Sequence, residues 1–241
     1  MDLEPDYAYE KVEHIVFRRV SSIGNQACGF SISPGQLATQ PNVLGIQFID
    51  CIASGNAMSA YTFQGLHSTN ITGTIDIIGG RISDQKSAGL TFFDKNSAGV
   101  QVRITGLAIV DVSLVGPDSP PFGTEGYWLN APIVFQSYPN PPTFEHPWGF
   151  FPFGGVSFKD VEISYSKNQS AVGKAAAAKW PWLRTFHIDR RGKPSPGEAD
   201  ITGSVTLYSS TPDAVCEPSF APGPRENVSI VSRCNAIDFP N

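Results

Sequence analysis

The chain has 241 residues, of which 41% are hydrophobic and 16% are charged, and its formal net charge is -5. Its length permits one sizeable core, and no apolar run approaches the roughly 18 residues that cross a bilayer. The 17 Lys and Arg residues are scattered along the chain. We therefore expect a globular protein with neither a membrane nor a nucleic acid as its partner.

The opening residues contain a candidate pair of catalytic carboxylates, Asp2 and Glu4. At alternate positions of an extended strand both side chains point to one face, with Cα atoms about 7 Å apart, while Leu3 points to the other. If Leu3 points inward, both carboxylates face solvent. Two carboxyl groups so placed could serve as the acid and the base or nucleophile of glycoside hydrolysis. The alternative is that they are ordinary solvated acids.

The chain then repeats itself at intervals of about 30 residues. Ile46–Phe63 aligns with Ile15–Ile32 at an offset of 31 residues, and Ile75–Phe92 follows at an offset of 29. Within the copies apolar residues alternate with polar ones, which indicates half-buried strands rather than helices. Short strands in repeats of this length predict coils that stack on one another.

Later copies are interrupted by insertions. The fourth runs over Val100–Leu114 and resumes at Pro132–Phe135, the fifth runs over Val156–Ser164 and resumes at Thr185–Ile188, and a half-copy covers Ile201–Tyr208. We therefore expect about five to six coils in one domain over residues 1–210.

The register of the repeats predicts which side chains stack on one another. The expected internal ladder consists of Phe17, Phe48, Ile77 and Phe158. Asn25 and Asn56 should occupy equivalent turns, where their amides would bond backbone groups that the turn leaves unpaired.

The insertions at 116–130, 138–154 and 166–184 are predicted to be loops. The first two are rich in proline, glycine and aromatic residues, which do not form strands of a stack. Exposed aromatic rings with a polar rim usually mark a binding surface, and flat rings can stack on pyranose sugars. The predicted substrate-binding residues are Trp128, His146, Trp148, Trp180 and Trp182. Alternatively, the tryptophans pack over the end of the coil as a lid.

Residues 211–241 form a Pro-rich tail, which we expect to fold back as a cap against the last coil rather than extend it. Cys216 and Cys234 should lie within disulfide reach, with Cα atoms about 5–6 Å apart. Cys51 takes a buried apolar position in the repeat. The possible bridge and the sequons, one of them at Asn70, are compatible with an extracellular protein.

The repeats resemble the right-handed parallel β-helix of the pectate-lyase-like superfamily. The resemblance rests on strand starts such as Phe48/Cys51 and on the Gly24-Asn25 and Gly55-Asn56 turns. It also rests on pairs of a small and an aromatic residue, such as Ala60-Tyr61, where the chain returns to the stack after a turn. It implies an all-β, single-stranded solenoid with loop insertions, and that fold carries hydrolases, lyases, epimerases and adhesins. We expect a polysaccharide hydrolase or lyase acting in the solenoid groove; the alternative is a non-catalytic module for glycan binding or a structural role.

The family's catalytic signatures are missing from the sequence. It has no Gly-His-Gly or Arg-Ile-Lys as in polygalacturonases and no Asp-Pro-His as in alginate epimerases. The histidines lack the spacing of a zinc site, and the aspartates recur about one per coil instead of clustering, so we expect no metal and no cofactor.

A solenoid needs a cap over its first coil, and here a full coil follows the opening Met closely. Asp2-Leu3-Glu4-Pro5 also resembles a segment that recurs mid-chain in secreted β-helix proteins. We therefore expect the chain to be the C-terminal portion of a longer protein. The sequence does not predict the oligomeric state.

Overall fold

The fold is a parallel β-solenoid. The computed structural model describes residues 1–66, 68–93, 95, 99–112, 132–136, 154–165, 186–189, 201–209 and 227–232. Their strands form one sheet of six strands and one of eleven, and every paired strand runs parallel to its neighbour. The predicted all-β class and the solenoid architecture are therefore confirmed.

Seventeen strands and one short 3-10 helix make up the described secondary structure. In chain order they are β1 (Asp2–Leu3), β2 (Val12–Arg18), β3 (Ser21–Ile23), β4 (Phe30–Ile32), the 3-10 helix Gly35–Thr39, β5 (Asn42–Ile49), β6 (Ile52–Ser54), β7 (Tyr61–Phe63), β8 (Ile71–Ile78), β9 (Arg81–Ser83), β10 (Leu90–Phe93), β11 (Gln101–Thr105), β12 (Ala108–Val110), β13 (Ile133–Gln136), β14 (Val156–Tyr165), β15 (Phe186–Asp189), β16 (Ile201–Ser209) and β17 (Asn227–Ser232).

Each coil places one strand on each of three faces. The first face stacks β2, β5, β8, β11 and the start of β14. The second face stacks β3, β6, β9, β12 and the end of β14. The third face stacks β1, β4, β7, β10, β13 and β15. The described part of the chain contains no helix long and apolar enough to cross a bilayer.

The interior of the coils is filled by rows of stacked apolar side chains. Phe17 pairs with Phe48 and Phe48 with Ile77, and the row continues through Ile104 to Phe158. The Phe17 and Phe48 rings stack with centroids 5.1 Å apart. The predicted ladder is thus confirmed, and burial of such side chains is the main stabilising term of the fold.

The predicted turn equivalence of Asn25 and Asn56 is also confirmed. Asn56 is buried, and its Oδ1 accepts hydrogen bonds from the Asn25 backbone N–H (3.0 Å) and from Asn25 Nδ2 (2.8 Å). Its Nδ2 donates to the Ser22 carbonyl at 3.1 Å. The predicted bonding of backbone groups by the side-chain amide holds for Asn56. Asn25 Nδ2 instead donates to side-chain oxygens, Ser22 Oγ and Asn56 Oδ1, at 2.8 Å each.

The corners account for part of the recurrence of aspartates along the coils. The corner between the first and second faces needs a backbone with positive φ, which Gly, Asn and Asp adopt most readily. The residues at this corner are Arg19, Asp50, Gly79, Gly106 and Asp160. The aspartates there serve the backbone, so their spacing reflects the repeat.

The later copies also form strands where the sequence predicts them. β13 and β15 continue the third face, and β16 pairs with β14 in parallel. The tail differs from the expectation, because β17 pairs with β16 in parallel and so extends the sheet. For this segment the prediction of a tail that folds back without extending the stack is wrong. Cys216 and Cys234 lie outside the described residues.

Candidate functional site

The outer surface of the first face carries a groove lined by both polar and apolar residues. Gly45 of β5 and Gly73 of β8, which have no side chains, are part of this lining. Glu13 and His14 of β2 form one wall, and Thr74 of β8 contributes to the opposite side. The groove has a volume of about 440 Å³. This is within the range of about 300–1,000 Å³ that small-molecule sites occupy.

A β-bulge shapes the wall of the groove. The register between β2 and β5 shifts between Val12 and Ile15, so Glu13 and His14 together face Gly45. His14 has φ of 59°, a conformation that is uncommon for a residue with a side chain. Such bulges redirect side chains, and strained residues of this kind concentrate at functional sites.

Gly45 permits the close approach of the bulge. A Cβ added at Gly45 would lie 3.1 Å from the His14 backbone nitrogen, tighter than ordinary contact. Gly73 has φ of 106°, and a Cβ there would collide with the Leu44 carbonyl. Both glycines therefore have a steric reason to be glycine, because a Cβ at either position would meet the backbone of a neighbouring strand.

The outer row that borders the groove is polar along successive coils. Gln47 of β5, which lines the groove, pairs with Asp76 of β8, and Asp76 pairs with Arg103 of β11. Arg103 Nε and Nη2 donate to the two Asp76 carboxylate oxygens at 2.6 and 2.8 Å. The hydrogen bonds that Arg103 donates to Asp76 raise the pKa of its guanidinium, so this side chain stays charged.

The loop before β2 presents two exposed tyrosines. The Tyr7 and Tyr9 rings stack with centroids 5.3 Å apart and planes 12° apart, and they are 56% and 71% exposed. The turn is closed by the Glu10 N–H, which donates to the Tyr7 carbonyl at 3.1 Å. Asn42 Nδ2 donates to the Ala8 and Glu10 carbonyls, and the next residue, Val43, lines the groove.

The predicted catalytic pair lies on a different face. Asp2 is in β1 on the third face, where it pairs with Ser31 of β4, and Glu4 follows the strand. Both are exposed, and Leu3 packs against the core, as the sequence predicts. Neither residue lines the groove. Their catalytic role stays a prediction.

The predicted substrate-binding residues Trp128, His146, Trp148, Trp180 and Trp182 lie outside the described residues. Among the residues that the structure describes, no group of three or more His, Cys, Asp and Glu side chains could hold a metal ion.

The described cysteines do not form a reactive site. Cys51 is buried in the core cluster, as the sequence predicts, and Cys28 is half-buried. Burial raises the pKa of the Cys28 thiol, and Thr62 Oγ1 donates to its sulfur at 3.0 Å. A raised pKa leaves little of the nucleophilic thiolate at neutral pH.

Comparison with known proteins leaves the family open. No protein-family model matches the chain, and neither the curated proteins nor the solved structures contain a match.

Sequence reasoning missed the groove and the tyrosine pair. Tyr7 and Tyr9 precede the first repeat, and alternation along a strand alone would place them on one face. The bulge at Glu13 and His14 had no signal in the repeat alignment, because the aligned segment begins at Ile15. A glycine inside a strand pattern, such as Gly45, is the one available hint of a bulge.

Proposed function

We propose that this protein binds an extended polysaccharide along the first face of the solenoid and that it belongs to the pectate-lyase-like superfamily of right-handed parallel β-helices. The observation that carries the proposal is the groove of about 440 Å³, lined by Gly45 and Gly73 and walled by Glu13 and His14. Its lining combines hydroxyl, amide, carboxylate and imidazole groups with apolar Val16 and Val43. Sugars offer hydroxyls and apolar ring faces, so such a lining is complementary to them.

The direction of the outer row supports a ligand longer than the groove itself. Gln47, Asp76 and Arg103 lie in register on adjacent strands, which are spaced about 4.8 Å apart across a sheet. A linear glycan that leaves the groove along the stack would meet Gln47 and then the exposed Arg103, which the buried Asp76 holds in place. A compact ligand would meet only the groove.

Blocking the groove tests the binding site. Thr74→Tyr places a ring in the groove and keeps a residue that strands favour, whereas Ile52→Tyr adds the same ring at an exposed position on the second face. Binding of cello-oligosaccharides, laminari-oligosaccharides and oligogalacturonides would be measured by isothermal titration calorimetry. Thr74→Tyr should weaken binding at least about tenfold, and Ile52→Tyr should not change it. Equal affinities for the two variants, or no binding to any of the oligosaccharides, would contradict the proposal.

Cleavage of a glycan is the second candidate function, and its candidate residues are Asp2 and Glu4, whose carboxylates on the third face are exposed and accessible to a ligand. Release of new reducing ends from the polysaccharide would be measured for Asp2→Asn, Glu4→Gln and the control Asp6→Asn, which changes a neighbouring exposed acid. A hydrolase of this kind should lose at least about a hundredfold in kcat in the first two variants only. Unchanged kcat in Asp2→Asn and Glu4→Gln would remove these residues from catalysis.

We also propose that the protein acts outside the cell. Asn70 of the sequon Asn70-Ile71-Thr72 is exposed at the turn before β8, where a glycan could be attached. Detection of the protein in the culture medium of its source cells tests this, and its confinement to cell lysates would contradict it.

A further inference from the structure

We infer that Tyr7 and Tyr9 form an aromatic platform that binds a sugar unit of the same glycan beyond the end of the groove. The inference rests on the proposed function and adds to it a subsite made of stacked rings, with the apolar face of a pyranose as its ligand. No residue of this platform lines the groove.

The first observation is the exposure of two large rings in a fixed arrangement. Tyr7 is 56% exposed and Tyr9 is 71% exposed, although stacked rings of this kind are normally buried. With the two planes 12° apart, the pair presents a broad apolar ring surface to solvent. Exposed aromatic surface of this kind is typical of a binding surface.

The second observation is that the loop is held in place by side chains of the next coil. Gln40 Nε2 donates to the Ala8 carbonyl at 2.6 Å, and Asn42 Nδ2 donates to the Ala8 and Glu10 carbonyls at 3.3 Å each. The Tyr7 backbone N–H also donates to Glu10 Oε2 at 3.2 Å. A platform fixed before the ligand arrives avoids the entropy cost of ordering the loop on binding.

The third observation is the continuity between loop and groove. Asn42, which is buried, binds the tyrosine loop, while Val43 beside it lines the groove. Glu10 ends the loop only a few residues before Glu13, which forms part of the groove wall. The start of β5 therefore borders both the tyrosine loop and the groove. The inference places one end of the glycan there, while its other end follows the stack.

The inference predicts that the tyrosines act on long oligosaccharides and not on short ones. Calorimetric affinities of the wild type, Tyr7→Ala, Tyr9→Ala and the double variant would be compared for the same three oligosaccharide series, from disaccharides to hexasaccharides. Each substitution should weaken hexasaccharide binding by about three- to tenfold and leave disaccharide binding unchanged. Tyr9→Phe, which keeps the ring, should restore most of the affinity.

The possible failures are distinguishable. If hexasaccharides bind the wild type and the double variant equally well while Thr74→Tyr weakens them, the groove is a site and the platform is not. If the alanine variants weaken disaccharides and hexasaccharides by the same factor, the tyrosines act on the groove and the separate subsite is wrong. If no member of the series binds the wild type, the proposed function fails and the inference fails with it. Circular dichroism of each variant shows whether the fold is retained.

Discussion

The inner and outer rows of the first face lie one residue apart along every strand, yet they differ in the residue types that they accept. The inner row is apolar in every coil and consists of Phe17, Phe48, Ile77, Ile104 and Phe158. The outer row changes chemistry from coil to coil and consists of Val16, Gln47, Asp76, Arg103 and Ser157. The inner row must fill a similar space in each coil, whereas the outer row is free to vary and can carry a binding site.

The difference lies in what each side chain contacts. An inner side chain packs between equivalent neighbours above and below it. A change of its volume therefore disturbs the packing of its own coil and of both adjacent coils. An outer side chain contacts its lateral neighbours and, in most coils, solvent. Asp76 is itself buried, and it contacts Gln47 and Arg103. Substitutions should therefore affect stability in the order of their burial, while ligand binding should follow the outer row alone.

The largest effect is expected for Phe48→Ala. Phe48 is fully buried, and its ring contacts those of Phe17, Phe30 and Tyr61 at centroid distances of 5.1, 5.4 and 5.3 Å. With stacked coils on both sides the cavity cannot collapse, so the free energy of unfolding should fall by about 3–5 kcal/mol. Urea denaturation followed by fluorescence measures the loss. A loss below about 1 kcal/mol would mean that the inner row is not tightly packed.

Asn56→Ala tests whether a buried polar residue of the stack contributes to stability as the apolar inner row does. It leaves the buried Ser22 carbonyl without its Asn56 partner and removes the acceptor for the Asn25 backbone N–H. A buried unsatisfied group costs about 1–3 kcal/mol, whereas water can reach the N–H of the exposed Asn25. The free energy of unfolding should therefore fall by about 1–3 kcal/mol. Asn25→Ala is the matched control, because Asn25 is exposed, and its effect should be smaller. The reverse order of the two effects would contradict the account of this turn.

Asp76→Ala is expected to have an intermediate effect. It removes a bidentate ion pair with Arg103, whose side chain is 55% exposed and can be solvated after the loss. The free energy of unfolding should fall by about 1 kcal/mol, and less at high salt. Denaturation in low and high NaCl measures both quantities. If Asp76→Ala lowered the free energy of unfolding as much as Phe48→Ala does, the distinction between the two rows would be wrong for Asp76.

Val16→Ser is expected to have the smallest effect on stability. Val16 is 52% exposed in the outer row, so the free energy of unfolding should change by less than about 0.5 kcal/mol. The neighbouring inner substitution Phe17→Ala should cost more, although Phe17 is only half-buried in the first coil. Equal losses for the two variants in the same urea experiment would remove the distinction between the rows.

This contrast explains how much of the fold could be predicted from sequence. Stacking forces similar residues into similar places, so the alignment of Phe17 with Phe48 and of Asn25 with Asn56 predicts their contacts directly. β17 was missed because the prolines of the tail suggested a cap, whereas the segment Asn227–Ser232 itself contains none and can donate to the ladder.

The groove could not be predicted in the same way. It depends on a bulge at Glu13 and His14. The alignment detects what the coils have in common, and a bulge is a departure from that common pattern. The exposure of Asp2 and Glu4 followed from strand alternation with Leu3 inward, but alternation does not say which face a strand joins. The tyrosine loop depends on contacts from Gln40 and Asn42, which are distant in sequence.

The location of the glycan on the first face is tested most directly by amide chemical shifts of the isotope-labelled protein during titration with the hexasaccharide that binds best. We predict that the shifts concentrate at Gly45, Gln47, Gly73 and Thr74, while Ser54 and Ser83 on the second face keep their positions. Shifts that concentrate on the second face, or that leave the groove residues unchanged at saturation, would contradict the assignment of the groove as the binding site.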